Sequence, residues 1–223
     1  MDYEINNLYN VNCMDFMKNM KNNSVDLILT DIPYGEVTRE SNGITNFNRE
    51  NADITTFDLD SFIKECYRIA KSSIIIFCGQ RQFSDIFRFF GKEQEKKKGT
   101  VRQIIWEKTN PTPFNGQYVY LSGIENAVWF RKSRGTFNAH CKNTVFRYPI
   151  WGGKNRIHPT EKHHGLLEEL VLDNSNEGDL VFDPCAGSGS TLLVANKNNR
   201  NYLGCELDKD YYEKALNRLS EKI

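Results

Sequence analysis

One short stretch near the C-terminus limits the possible folds more than any other part of the chain. A short apolar run ends at Asp183, small residues with two glycines follow, and a helical pattern starts at Leu192. This order predicts a strand, a tight loop and a helix start. Glycines let the backbone approach a ligand, and the free N–H groups of a first helical turn favour a carboxylate or phosphate.

An acid follows the next strand-like run and strengthens this interpretation. That run, 202–205, precedes Glu206, which stands about where nucleoside-binding units place the acid that holds ribose hydroxyls. The pattern therefore predicts a nucleoside-containing ligand. An ordinary tight turn in an α/β protein fits the same residues.

Composition sets the size and the surroundings of the fold. A chain of 223 residues, 39% hydrophobic and 12% aromatic, can bury the core of one domain with a small insertion. The net charge is zero, so affinity for nucleic acid must come from a local patch. No apolar run is long enough to span a bilayer or resembles a signal peptide, so we expect a soluble, cytoplasmic protein. The six cysteines lack metal-ligand spacing, which predicts reduced thiols and no metal.

Strand-like and helix-like segments alternate over most of the chain, which predicts an open, largely parallel sheet covered on both faces. The strand-like runs are 3–11, 25–30, 73–79, 101–108, 125–132, 181–183 and 202–205, and the helical patterns are 14–20, 60–71, 81–90, 161–173 and those starting at 192 and 208. No helix is predicted between 101–108 and 125–132, so these two strands are expected to pair antiparallel. Ligands bind at the carboxyl ends of parallel strands, so the loops at 31–35 and 183–189 are expected to face one cleft.

These two loops resemble the motifs of a known enzyme family. Asp31-Ile32-Pro33-Tyr34 resembles the Asp-Pro-Pro-Tyr signature of amino-group DNA methyltransferases, and 183–191 looks like their S-adenosylmethionine loop. Residues 158–162 are similar to the element that leads into that loop. The order of the motifs matches the circularly permuted β group. The resemblance covers roughly 8–35, 60–80, 101–132 and 157–220, and it implies an α/β, Rossmann-like class I methyltransferase fold.

The resemblance implies methyl transfer from S-adenosylmethionine to the exocyclic N6 of a flipped adenine in DNA. That nitrogen is a poor nucleophile because its lone pair is delocalised into the ring, and acceptors for both N–H bonds free the pair. The Asp31 carboxylate and the Ile32 carbonyl would accept those bonds, and Pro33 would hold the turn. Tyr34 would stack on the extruded base.

The resemblance also implies the residues that hold the cofactor. These are Asn12 and Cys13 near the adenine ring, Thr160 and Lys162 near the methionine end, Asp183, Pro184, Gly187, Ser188, Gly189 and Thr191 in the loop, Glu206 at the ribose, and Asp31, shared with the catalytic turn. The chain departs from the family pattern in two places: Val11-Asn12 replaces Gly-Asp, and Ile32 replaces the first proline.

A basic segment predicts where DNA binds. Residues 131–156 carry seven lysines and arginines and no acid, with aromatic residues interleaved. Cations without intervening acids bind phosphates, although a solvated face is the plainer interpretation. The predicted contacts are Arg131, Lys132, Arg134, Lys142, Arg147, Lys154 and Arg156. We expect target recognition in a small insertion at 133–156, aided by a flexible catalytic-side loop at 36–56 and by 109–123.

Three alternatives remain beside adenine-N6 methylation, which the leading aspartate of the tetrapeptide favours. Cytosine-N4 methyltransferases use the same cleft and usually begin the tetrapeptide with serine. Protein-glutamine methyltransferases carry Asn-Pro-Pro-Tyr, but the motif order and the basic segment disfavour them. Ile32 and Val11 motivate a catalytically silent DNA-binding relative. The sequence implies a bacterial or phage protein and leaves open a homodimer and a cognate restriction nuclease.

Overall fold

The computed structural model describes residues 3–34, 57–113, 116–152 and 161–220. In chain order the elements are β1 (Asn7–Tyr9), α1 (Cys13–Lys18), β2 (Val25–Asp31), α2 (Leu59–Ile69), β3 (Ala70–Cys78), α3 (Gln80–Glu95), β4 (Gly99–Lys108), β5 (Ile124–Lys132), β6 (Val145–Tyr148), α4 (His164–Asn174), β7 (Leu180–Asp183), α5 (Ser190–Lys197), β8 (Asn201–Cys205) and α6 (Lys209–Ser220).

The strands form one mixed sheet, which confirms the predicted fold. Within the described ranges, eight strands lie in the order β1-β8-β7-β2-β3-β5-β4-β6. Neighbouring strands are parallel except where β5 pairs with β3 and with β4. The predicted antiparallel pairing of β4 with β5 is confirmed. The sequence did not reveal β6, because its four residues carry no apolar run and rely on pairing with β4.

Helices cover both faces of the sheet, as the alternating pattern predicts. Side chains alternate along β2, so Leu27 and Leu29 pack under α4 while Ile28 packs under α2. Helices α1, α2 and α3 cover the face that carries Ile28, and α4, α5 and α6 cover the face that carries Leu27 and Leu29. No helix in the described ranges is long and apolar enough to cross a membrane.

Local capping explains where several helices begin. Asp58 accepts a hydrogen bond from the Ser61 N–H at 2.9 Å and starts α2. The predicted N-cap Asp208 accepts from the N–H groups of residues 210 and 211. Helix α4 begins later than predicted because His163 caps it through the Gly165 N–H. Residue 162 therefore lies in the segment before the helix rather than inside it.

The direction of β5 decides what lies at the ligand-binding edge. The parallel strands β2, β3, β4, β7 and β8 end at one edge of the sheet. Because β5 runs the other way, its first residues, Ile124 and Glu125, lie at that edge, beside the ends of β3 and β4. Its last residues, Arg131 and Lys132, lie at the opposite edge.

Candidate active site

The turn after β2 folds back on its own carboxylate. The Ile32 N–H donates to the Phe77 carbonyl at 3.2 Å, and the Gln82 side-chain amide donates to the Pro33 carbonyl at 2.8 Å. The Tyr34 hydroxyl then lies 2.9 Å from Asp31 Oδ1. The turn is thus bound to β3 and α3 and presents the carboxylate and the ring together.

Ile32, which replaces the first proline of the family pattern, packs in the hydrophobic core. The Ile32 side chain is 1% exposed and belongs to the apolar cluster between the sheet and α1, α2 and α3. Hydrogen bonds on either side of it, from the Ile32 N–H and to the Pro33 carbonyl, hold the backbone. The turn therefore keeps fixed bonds to its neighbours without the rigid ring.

Two lysines and two acids form a charge-balanced cluster around Asp31. The buried Lys162 ammonium donates to Asp31 Oδ2 and lies 2.9 Å from Glu125 Oε2. Lys108 lies 2.7 Å from Glu125 Oε1. The Tyr34 hydroxyl is 3.2 Å from Glu125 Oε2, so its proton can serve either acid. Glu125 was not among the site residues predicted from the sequence. The predicted antiparallel pairing of 125–132 was the signal that could have identified it, because it places the start of that strand at the ligand-binding edge.

Burial and charge set the protonation states in this cluster. Burial raises the pKa of Asp31 above its ordinary value, Lys162 opposes that rise, and Glu125 adds to it. Burial acts in the same direction on Glu125, but Lys162 and Lys108 outweigh it and lower its pKa to about 2. Burial and the neighbouring acids raise the pKa of Tyr34 well above its usual value. The tyrosine is therefore a neutral hydroxyl donor.

The glycine loop after β7 begins with a buried acid. The Asp183 side chain accepts a hydrogen bond from the Cys185 N–H at 3.1 Å. The residue is only 3% exposed, and burial raises its pKa to about 7. At Gly189 the backbone has a φ of +71°, and a Cβ there would lie 3.2 Å from the Ala215 side chain. Glycine thus allows the left-handed turn and the close packing of α6 at the start of α5.

Glu206 joins this loop to the end of β8. Its two carboxylate oxygens accept hydrogen bonds from the Gly187 N–H at 2.7 Å and the Asp208 N–H at 2.8 Å. Burial raises the pKa of Glu206. The predicted ribose acid and the predicted glycine loop are therefore in direct contact.

The two predicted loops meet at one edge of the sheet. β2 and β7 are adjacent parallel strands, with Ile28 opposite Phe182. Asp31 and Asp183 therefore end neighbouring strands, and the charge of Asp31 adds to the rise in the pKa of Asp183. The carboxylate turn and the glycine loop thus lie side by side at this edge of the sheet, as the sequence predicts.

Comparison with known proteins decides the family. The model of the N6/N4 methyltransferase family, described as DNA methylase, matches residues 25–217. The chain belongs to this family. As a member it is an S-adenosylmethionine-dependent DNA methyltransferase, and DNA is its substrate.

Individual relatives agree with this assignment. The methyltransferase is 30% identical to the type II methyltransferase M.HinfI of Haemophilus influenzae, over 97% of this chain and 69% of the relative. Its fold matches the crystal structure of the M1.HpyAVI–SAM complex with a TM-score of 0.71 at 28% identity, covering 95% and 98% of the two chains. It also matches the cytosine-N4-specific PvuII DNA methyltransferase with a TM-score of 0.72 over 97% and 87% of the chains. At 16% identity that last similarity shows the fold alone.

The residues around the glycine loop of the methyltransferase suit a cationic cofactor. Asp183 is buried, and within the described ranges no lysine, arginine or histidine forms an ion pair with it. An acid with a pKa raised by burial gains from a positive charge nearby. S-adenosylmethionine carries such charges on its sulfonium and ammonium groups.

Other predicted cofactor residues lie near the same edge, with local roles of their own. Asn12 accepts from the Met14 N–H at 2.9 Å and caps α1, and Cys13 is buried in the first turn of that helix. Pro184, Ser188 and Thr191 are buried within the loop and the start of α5. Thr160 lies outside the described residues.

The described cations of the basic segment do not lie on one surface of the methyltransferase. Lys132, at the far edge, donates to the Ala70 carbonyl at 2.5 Å and packs on the Tyr67 ring. Arg131 lies over Phe137, and Arg134 follows at the same far edge. Lys142 pairs with acids of α4. Arg131, Lys132 and Arg134 lie away from the cleft because β5 is antiparallel, whereas Lys142 is held by α4. Their contacts with DNA stay predictions.

Arg147 is the described cation of this segment that approaches the cleft edge. It lies on β6, its side chain is 72% exposed, and it donates to Glu107 at 2.9 Å. The predicted Lys154 and Arg156 and the predicted loop 36–56 lie outside the described residues. Residues 133–152 add β6 to the main sheet and pack along α4, where the Asn138 N–H donates to the Asp173 carbonyl. The described part of the predicted insertion thus belongs to the main domain.

Proposed function

We propose that this methyltransferase modifies the exocyclic N6 of adenine in DNA, with Asp31 as an acceptor for the amine N–H. The supporting observation is the position of Asp31 at the end of β2, directly beside the glycine loop that follows β7. Aspartate at position 31, where cytosine-N4 enzymes usually carry serine, favours adenine.

The proposed chemistry assigns each part of the turn a separate task. S-adenosylmethionine supplies an electrophilic methyl group on a positively charged sulfur. The Asp31 carboxylate and the Ile32 carbonyl accept the two N–H bonds of the target amine, which frees its lone pair. The bonds from Ile32 to Phe77 and from Gln82 to Pro33 hold these acceptors in place. Fixed acceptors position the amine without reorganisation during the reaction.

Tyr34 is the proposed platform for the extruded base. Its ring packs against Gly79, where a Cβ would lie 3.1 Å from the Tyr34 Cβ. The Lys162 ammonium lies 5.6 Å from the ring centroid. Stacking on an aromatic ring offsets part of the few kcal/mol that base extrusion costs.

On the cofactor side we propose the residues that the loop brings together. Glu206 would hold the ribose hydroxyls, and Asp183 with the backbone of 187–189 would hold the methionine end. The contact between Gly187 and Glu206 supports this assignment, because one hydrogen bond fixes both parts of the site. Lys162 would contact both Asp31 in the turn and the methionine end of the cofactor.

DNA would approach the same edge of the sheet. Arg147 on β6 and the exposed Tyr118 and Tyr120, before β5, are the described side chains proposed to contact it. Lys154 and Arg156 are proposed from the sequence. Arginine binds phosphate, and exposed aromatic rings stack on bases.

Product analysis tests the target base. Mixed-sequence DNA is incubated with the enzyme and methyl-labelled cofactor, digested to nucleosides and separated. We expect label in N6-methyladenine. Label in N4-methylcytosine, or cofactor binding without label in DNA, would overturn the proposal. The sequence leaves open a homodimer, which sedimentation measures, and a cognate restriction nuclease, whose cleavage a methylated site would resist.

A further inference from the structure

A second carboxylate, outside the proposed transfer chemistry, lies beside Asp31. Glu125 is the second residue of β5, and its side chain is 20% exposed. Pairing with Trp106 of β4 fixes its backbone. A strand position of this kind holds a side chain more firmly than a loop would.

Each oxygen of Asp31 already accepts one hydrogen bond. Oδ1 lies 2.9 Å from the Tyr34 hydroxyl, and Oδ2 accepts from the Lys162 ammonium. A carboxylate oxygen accepts up to two hydrogen bonds, so a target amine that donates to Asp31 shares an oxygen with one of these donors and weakens that donor's bond. Buried donors require another acceptor, because an unsatisfied buried donor is costly, and more so when it is charged.

Glu125 offers that acceptor to the same two donors. Its Oε2 lies 2.9 Å from Lys162 Nζ and 3.2 Å from the Tyr34 hydroxyl. We propose that Glu125 is a positioning residue that takes over the hydrogen bonds of Lys162 and Tyr34 when the target amine binds Asp31. This inference rests on the proposed role of Asp31.

Lys108 keeps Glu125 in the state that this exchange needs. Its ammonium lies 2.7 Å from Oε1 and thereby leaves Oε2 to the shared donors. Lys108 also lies 5.4 Å from the centre of the Trp106 ring, on the same strand, β4. With Lys108 and Lys162 beside it, the pKa of Glu125 falls to about 2 against the effect of burial. Glu125 is therefore a carboxylate throughout the neutral range.

The test compares Glu125→Gln with the wild type. Glutamine keeps the shape but loses the charge and brings an N–H₂ donor toward Lys162. We expect the kcat for methyl transfer to fall about ten- to a hundred-fold, which is the range for a lost bond to a charged group. Cofactor Kd should stay close to wild type, and Glu125→Asp should recover part of the kcat. The thermal unfolding midpoint should fall, because the buried Lys162 and its neighbour Lys108 lose a charged acceptor.

The pH profile separates this role from a purely structural one. Among the residues that the structure describes, the titratable groups that face Asp31 are Lys162, Glu125, Tyr34, Cys78 and Asp183. The charge of Glu125 raises the pKa of Asp31. In Glu125→Gln the acidic limb of the kcat profile should therefore move to lower pH, although the maximum rate falls. A structural defect would lower the rate without this shift.

Glu93→Gln is the matched control. Glu93 is 15% exposed and serves a lysine, Lys96 at 2.6 Å, and a tyrosine, Tyr67, as Glu125 does. It lies near the end of α3, away from the cleft. Its kcat and pH profile should match wild type.

A double variant tests the exchange directly. If Glu125 acts largely through Lys162, then Glu125→Gln should lower the kcat by a smaller factor in the Lys162→Met variant than in the wild type. Wild-type kcat in Glu125→Gln, an unshifted acidic limb, or additive losses would overturn the inference. Asp31→Ala distinguishes the proposed function from the inference about Glu125. Full activity in Asp31→Ala would refute the proposed function. An inactive Asp31→Ala together with a fully active Glu125→Gln would refute only the inference.

Discussion

The Gly187 N–H donates to Glu206 at 2.7 Å, so the glycine loop after β7 is tied to the acid that follows β8. The second oxygen of Glu206 accepts from the Asp208 N–H at 2.8 Å, just before α6. One carboxylate thus joins the loop, the strand end and the last helix. Its loss should therefore affect both stability and cofactor binding.

Glu206→Ala should weaken cofactor binding and lower the free energy of unfolding. Two backbone donors lose a charged acceptor, which predicts a loss of roughly 1–3 kcal/mol. Urea unfolding and calorimetric titration with the cofactor measure the two effects. Glu213→Ala, an exposed acid on α6, is the control and should change neither. Unchanged cofactor affinity in Glu206→Ala would exclude Glu206 from the ribose site.

Asp31→Ala should abolish methyl transfer while leaving cofactor binding mostly intact. The acceptor for the target amine is lost, whereas the glycine loop keeps its contacts to Glu206 and Ala215. Labelled-methyl incorporation and equilibrium cofactor binding measure the two properties. Asp60→Ala, on the exposed side of α2, serves as the control. Full transfer activity in Asp31→Ala would remove Asp31 from the mechanism.

Asp183→Asn should make stability less dependent on pH. Burial raises the pKa of Asp183 to about 7 in the folded protein, above the value of an unfolded aspartate. The folded state therefore binds the proton more tightly, and the stability that this supplies is present below pH 4 and lost as pH rises toward 7. The full shift of about three units corresponds to about 4 kcal/mol at most.

Unfolding of the cofactor-free protein at pH 4.5 and pH 8 provides the measurement. The wild type should lose more stability than Asp183→Asn between these pH values. Asp26→Asn, at the other end of β2, is a suitable comparison, because its carboxylate pairs with Lys71 at 2.8 Å. Parallel pH curves for wild type and Asp183→Asn would contradict the raised pKa.

Arg147→Gln should weaken DNA binding, whereas Arg134→Gln should not. Both arginines come from the same basic segment, but Arg147 lies on β6 near the cleft edge and Arg134 at the far edge. Loss of one phosphate contact lowers the slope of log affinity against log salt by about one. Fluorescence anisotropy with labelled duplex at several salt concentrations gives that slope. Equal effects of the two substitutions would refute the assignment.

Local patterns were sufficient for the parts of the site that lie within one stretch of chain. The apolar run before Asp31 and the glycine loop after Asp183 carry their own strand and turn signals, and both form as predicted. The starts of α2 and α6 follow from capping by Asp58 and Asp208. Short β6, with no apolar run, gave no such signal.

Long-range pairing decided the rest. Glu125 reaches Asp31 and Lys162 because β5 runs antiparallel between β3 and β4, and the same reversal carries Arg131 and Lys132 to the far edge. The sequence by itself determined the two loops, the cofactor class and the family, since those depend on residues close together in the chain. The four-charge cluster and the division of the basic segment were decided only by tertiary structure. The sequence predicted that β4 and β5 are antiparallel, but the order of the strands in the sheet arises from packing among distant segments, which no local pattern specifies.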